Sequence, residues 1–126
     1  MTAFSDRIEE FAALNAEVLG VSTDTVFVHR AWIHTPRDKN GVGDIGFPLA
    51  SDANLEVSRS YGVLLEKEGL ATRGLFIIDP QGVIQYSVIH NLNVGRSVDE
   101  TLRLLEALQA GGLCPADWRP GKKLLG

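Results

Sequence analysis

The sequence contains a single cysteine, Cys114, so no disulfide can close within one chain and no Cys-x-x-Cys redox pair exists. No run approaches the ~18 consecutive apolar residues that a membrane-spanning helix requires. The opening residues, Met1-Thr2-Ala3-Phe4-Ser5-Asp6-Arg7, lack a basic stretch followed by an apolar one, so no secretory leader is legible. Positive charge is scarce: 12 Lys and Arg stand against 16 Asp and Glu, and the net charge of −4 argues against a binder of nucleic-acid phosphates. The two short basic spots, Arg30 to Lys39 and Arg119 to Lys123, are interrupted by acids or prolines and read as solvated surface. His29, His34 and His90 are scattered without metal-ligand spacing and read as non-catalytic, so neither a metal nor another cofactor is expected. These absences together point to a cytoplasmic protein.

What remains is an ordinary globular composition, with 44% apolar and 22% charged residues in a length of 126 that suits one domain. Apolar residues at Phe4, Ile8, Phe11, Ala12 and Leu14 have helical spacing and predict a helix over Phe4 to Asn15. Val18 to Ser22 is a short apolar run of the kind found in buried strands. Ser22-Thr23-Asp24 then supplies caps for a helix over Val26 to His34, which must stop before Pro36. Arg37 to Gly46 reads as a loop, Phe47 to Asp52 as a strand, Asn54 to Tyr61 as a helix and Leu65 to Thr72 as a loop. Gly74 to Asp79 is a second buried-type strand; Pro80-Gln81-Gly82 turns it back into Val83 to His90, giving a hairpin. Ser97 caps a last helix, Val98 to Ala110, with Glu100 at the capping-box position and Gly111-Gly112 at its end. Its stripe of Val98, Leu102, Leu105 and Leu108 should face a core. Leu113 to Gly126 reads as a tail. The order of elements predicts an α/β fold, a mixed sheet with helices on both faces.

Ordered stretches along nearly the whole chain resemble the typical 2-Cys peroxiredoxins, including the alkyl hydroperoxide reductase peroxidase component. They are Ala3-Phe4-Ser5-Asp6, Glu17-Val18-Leu19-Gly20-Val21-Ser22, Ala31-Trp32-Ile33-His34-Thr35-Pro36-Arg37, Tyr61-Gly62-Val63-Leu64, Thr72-Arg73-Gly74-Leu75-Phe76-Ile77-Ile78-Asp79, Asn93-Val94-Gly95-Arg96-Ser97-Val98-Asp99-Glu100 and Cys114-Pro115-Ala116-Asp117-Trp118. The resemblance implies a thioredoxin-like fold and a thiol peroxidase that reduces hydrogen peroxide and organic hydroperoxides. In such an enzyme a low-pKa thiolate attacks the peroxide, because the thiolate is the nucleophile. The resulting sulfenic acid condenses with a resolving thiol of the partner subunit, and thioredoxin or a dedicated disulfide reductase restores both.

Residue by residue, the resemblance implies that Arg73 stabilises the thiolate and the peroxide, that Arg96 supports it, and that Cys114 is the resolving cysteine. Trp32 and Trp118 read as packing residues. The family's Cys-Pro-Thr-Glu motif stands just ahead of the block that opens this sequence, so the resemblance implies a chain lacking the peroxidatic cysteine, with Met1 at an internal position. Residues 1–110 would then form a partial peroxiredoxin domain and residues 111–126 a tail carrying the resolving thiol. A missing central strand between Glu17–Ser22 and Gly74–Asp79 would leave the chain alone unstable, or dependent on a partner, and without the peroxidatic cysteine it would be inactive. The family's dimer forms through the strand matching Val83 to His90, and dimers assemble into rings, so a homodimer through this strand is expected. The middle loop, Asn40-Gly41-Val42-Gly43, departs from the Gly-Gly-Leu-Gly of forms prone to overoxidation and implies a bacterial-type relative. The alternative is a non-catalytic module that co-assembles with intact subunits; a general thioredoxin-fold oxidoreductase ranks lower without a Cys-x-x-Cys.

Overall fold

The computed structural model describes all of residues 1–126. The elements are helices α1 (Thr2–Asp6) and α2 (Ile8–Ala13), strand β1 (Gly20–Ser22), helix α3 (Val26–His34), strand β2 (Leu49–Ser51), helix α4 (Glu56–Ser60), strands β3 (Leu64–Leu65), β4 (Leu70–Ala71), β5 (Arg73–Ile78) and β6 (Ile84–His90), and helix α5 (Val98–Ala110). A short 3-10 turn covers Arg37–Lys39. No helix is long and apolar enough to cross a membrane.

Local chemistry accounts for the sharpest boundaries. The hydroxyl of Thr25 accepts the Val28 N–H at 3.3 Å and starts α3, and Thr35, held extended ahead of Pro36, ends it. The cap is therefore Thr25 rather than the expected Ser22-Thr23-Asp24. Ser97 caps α5 by accepting the Glu100 N–H at 3.1 Å, and Gly111, at φ 73°, closes it in the left-handed region open to glycine. Only half of the expected capping box forms, because both Glu100 carboxylate oxygens are taken by Arg103 at 2.7 Å.

Four further expectations are corrected. The N-terminal helix is broken in two at Arg7, whose backbone leaves helical angles (φ −118°, ψ 22°) while its guanidinium holds Glu10 and reaches across to Asp99. The loop over Leu65 to Thr72 contains most of a small antiparallel hairpin, with Leu64 opposite Ala71 and Leu65 opposite Leu70. Leu108, placed on the core stripe of α5, is 40% exposed, because only the first turns of that helix are covered. The C-terminal segment is folded back, with Leu125 N–H donating to the Leu113 carbonyl at 2.7 Å around a buried Trp118.

The strands form three separate pairs: β1 with β2 in parallel, β3 with β4 and β5 with β6 antiparallel. The core is thin, since 12 of 126 residues are buried, whereas a finished domain of this size removes roughly two-thirds of its unfolded surface from water. The largest cluster lies between helices: Phe11 of α2 against Val98 and Leu102 of α5, with Phe4, Leu14, Ala16, Val18 and Leu105 around them. Phe4 stacks on Phe11 with ring centroids 5.8 Å apart. A second junction joins α4 to β5, where Tyr61 meets Phe76 edge-on at 4.7 Å. Asp52, buried at the end of β2, accepts the N–H groups of Val57 and Ser58 and the Ser58 hydroxyl, which holds α4 in place.

Candidate active site

Arg73 opens β5, and its Nε donates to the Leu92 carbonyl at 3.2 Å. Arg96, one residue ahead of the Ser97 cap, sends Nη1 back to the Gly74 carbonyl at 3.2 Å. Antiparallel pairing in β5–β6 sets Arg73 opposite His90 and so carries the loop after β6 back to the start of β5. Gly74 is needed there, since a Cβ would lie 2.8 Å from Val63 Cγ1 and 3.1 Å from Phe76 Cε2. The two arginines are thereby held by backbone carbonyls from opposite directions.

The charges of these arginines act on one another and on the start of the chain. Arg96 is held below its ordinary value first by burial and then by the charge of Arg73. The Met1 amino group is lowered by burial, then by Arg96, Arg73 and Arg37 in turn. The charges of all three arginines thus act on the Met1 amino group, just ahead of α1. Arg37 is braced by Asp6 at 2.8 Å and by the Val42 carbonyl at 3.3 Å. Neither Arg73 nor Arg96 has a carboxylate within ion-pair distance; the chain's ion pairs all involve other residues. A pair of neighbouring guanidinium groups without an acid is a place where a negative charge is stabilised. The part played by Arg37 has no local signal in the sequence, because the loop after α3 and the α1 carboxylate bring its charge to bear there.

Cys114 lies elsewhere. Its half-buried thiol is 3.9 Å from the carbonyls of Ala107 and Gly112, against the last turns of α5. Arg96 precedes the first turn of the same helix. At 1.5 Å per residue, the nine residues from Val98 to Ala107 separate the two ends by roughly 14 Å. The structure thus unites Arg73 with Arg96 and keeps Cys114 apart from both. Trp118 and Trp32 behave as packing residues: Trp118 is buried and donates to the Lys122 carbonyl at 2.9 Å, and Trp32 donates to the Asn40 carbonyl at 3.2 Å.

Of the histidines, His29 is buried, with Nε2 2.5 Å from the Ser22 hydroxyl. Ser22 donates to Asp24 at 2.9 Å, so its oxygen accepts from Nε2–H, and Nδ1 is left without a partner. His34 and His90 bond only to carbonyls, and no group of His, Cys, Asp and Glu is placed to hold a metal ion. A mostly apolar cavity of about 440 Å³ lies between α2 and the segments entering β1 and β2, and neither Arg73 nor Arg96 lines it.

The chain is similar to known proteins over nearly all of its length. The model of the AhpC/TSA family matches residues 1–87. The Bacillus subtilis protein YkuU is 62% identical over 125 residues, which cover 99% of this chain and 69% of that one. A chloroplastic 2-Cys peroxiredoxin of Spinacia oleracea is 58% identical over 98% of this chain and 48% of its own length. Among solved structures, the reduced 2-Cys peroxiredoxin of Plasmodium vivax superposes with a TM-score of 0.93 at 38% identity, covering 97% of this chain and 65% of that one. Mycobacterium bovis AhpC superposes with a TM-score of 0.78 at 41% identity, covering 94% and 64%. The chain thus spans between 48% and 69% of the length of these relatives.

Proposed function

The chain belongs to the AhpC/TSA family, with the thioredoxin-like α/β fold and sequence of a typical 2-Cys peroxiredoxin, and from that premise we propose that it is the later part of a thiol peroxidase. Arg73 and Arg96 stabilise the attacking thiolate and the alkoxide oxygen released from the peroxide. Cys114 is the second thiol of the relay. The first sulfur is supplied by residues outside these 126, so this chain alone does not turn over peroxide.

The chemistry proceeds in two steps. The upstream thiolate attacks the outer oxygen of a hydroperoxide, the O–O bond breaks, and the alkoxide leaves and takes a proton; sulfur is oxidised to the sulfenic acid. The Cys114 thiol of a partner subunit then attacks that sulfur, a disulfide forms and water leaves. A dithiol reductant of the thioredoxin class returns both sulfurs to thiols. Arginine suits the first step because its charge persists at any working pH and its planar donors can face both oxygens.

The observation that carries this reading is that Arg96 is tied to the Gly74 carbonyl, next in sequence to Arg73, while neither arginine takes part in an ion pair. The dimer expected through Val83 to His90 is supported by β6, which pairs with β5 alone and leaves its other side free. The test is peroxide consumption with dithiothreitol as reductant. The chain as it stands should match the background of free thiol. An N-terminally extended chain carrying the cysteine motif should turn over. Arg73→Ala in that extended chain should slow it by about 100-fold or more, as loss of one charge-stabilising donor does. Turnover by this chain that disappears in Cys114→Ser would overturn the assignment of roles.

A further inference from the structure

The short loop Asn91-Leu92-Asn93-Val94-Gly95 joins the end of β6 to Arg96. Its backbone freedom would pass to Arg96 unless something closes it. Part of the closure is local. Asn91 accepts the Asn93 N–H through Oδ1 and the Val94 N–H through its carbonyl, both at 3.0 Å, so the chain turns there. Those bonds end at Val94. Gly95, the residue ahead of Arg96, is held by His90, whose Nδ1 lies 3.1 Å from the Gly95 carbonyl. A carbonyl oxygen only accepts, so Nδ1 carries the proton and donates.

The same residue is set against Arg73. In the β5–β6 register His90 stands directly opposite Arg73. Side chains of opposed residues share one face of the sheet, with Cβ atoms about 4.5–5.5 Å apart. Arg73 Nε donates to the Leu92 carbonyl at 3.2 Å, inside the loop that His90 closes. Arg96 leaves the end of that loop and reaches back to the Gly74 carbonyl at 3.2 Å. The hydrogen bond of each guanidinium therefore depends on where this loop lies. The His90 imidazole, half-buried at the end of β6, is what draws the far end of the loop back onto the strand.

Resting on the peroxidase reading above, we infer that His90 is a positioning residue of the site: its Nδ1–H clamps the loop over 91–95 to the end of β6 and so fixes the places of Arg73 and Arg96. It acts through the arginines and touches neither peroxide nor sulfur. The reach of the donor matters more than the ring. Asparagine carries an N–H at the place of Nδ1, glutamine carries it one bond further out, and leucine has none.

The test reads placement and chemistry separately. In this chain the Nε–H resonance of Arg73 is followed by NMR and assigned by its loss in Arg73→Lys. Its exchange with water should quicken by about tenfold in His90→Leu and His90→Gln and stay unchanged in His90→Asn. In the N-terminally extended chain, kcat/KM for peroxide should fall by about 10- to 100-fold in the same two variants, the cost of misplaced charge, and recover in His90→Asn. Circular dichroism matching the parent shows that each variant folds, and the polar His90→Gln decides the matter if His90→Leu does not. An Arg73 resonance indifferent to both variants, or asparagine and glutamine behaving alike, overturns the clamp. An extended parent chain that consumes no peroxide overturns the peroxidase reading instead, and the Arg73 resonance still judges the clamp.

Discussion

The helices and the strands of this chain are finished to different degrees. α2 and α5 bury Phe11, Val98 and Leu102 against one another, and Arg7 ties them again through Glu10 and Asp99. The Ser97 cap and the Gly111 terminus satisfy the ends of α5. The strands form isolated pairs, each with a free side, and several of their apolar side chains face water. Isolated two-stranded pairs are marginal in water. The difference teaches that the stability this chain has by itself resides between its helices, and that its strands keep their spacing because those helices and the loops hold them. Substitutions in the two regions should therefore have unequal effects.

The largest effect is expected at Leu102, which is buried between α2 and α5. Leu102→Ala removes contacts that the neighbouring aromatic rings cannot fill by small shifts. A loss of about 2–5 kcal/mol follows, a large share of the ~5–15 kcal/mol of an ordinary domain. Urea unfolding followed by far-UV circular dichroism reads it as a lowered midpoint, or as loss of the transition altogether. An unchanged midpoint would mean that the helical layer is not where the stability lies.

Asp52 comes next, at the junction of the two regions. Burial by itself pushes its carboxyl up, but hydrogen bonds from the Ser58 hydroxyl and from the Ser58 and Val57 N–H groups outweigh it, and the net position is below the ordinary value. A carboxyl depressed in the folded state stabilises the fold in full above its unfolded value, about 3.9. That contribution is lost as pH falls through the lower folded value. Asp52→Asn turns one acceptor into a donor facing N–H groups, at a cost of about 1–3 kcal/mol at neutral pH. The gap in unfolding midpoint between the two proteins should narrow as pH falls below about 4. A gap that stays constant with pH would show that the carboxylate charge is not what holds α4.

The same contrast explains what could be read from the residues alone. α3 and α5 run between the very residues expected, because proline, glycine and hydroxyl caps act within one turn of the places they control. The break at Arg7 could not be read, since its guanidinium answers to Asp99, 92 residues away. The β3–β4 hairpin escaped because two-residue strands carry no periodicity, and the closed C-terminal segment because Leu113 and Leu125 meet only after folding. In the site, Arg73 and Arg96 were found through resemblance of their flanking strand and helix cap. Arg37 carries no such mark; the loop after α3 and its ion pair with Asp6 bring its charge to bear on the Met1 amino group together with theirs. The family was legible because its blocks run along the strands and caps; the separation of the strands into pairs was not, because it depends on which partner strand is present.

The smallest effect is expected on the strand edge, and its smallness is the point. Ile78 ends β5 with its side chain 49% exposed, so Ile78→Thr removes little buried apolar surface from this chain and should move the urea midpoint by no more than ~0.5 kcal/mol. In an N-terminally extended chain whose added segment covers β5, the same substitution places a hydroxyl where an apolar group would be enclosed, and about 1–3 kcal/mol should be lost. The two differences, measured side by side, report how much of Ile78 the extra segment covers. Equal effects in both chains would mean that β5 gains no neighbour and that its apolar sequence serves an edge after all.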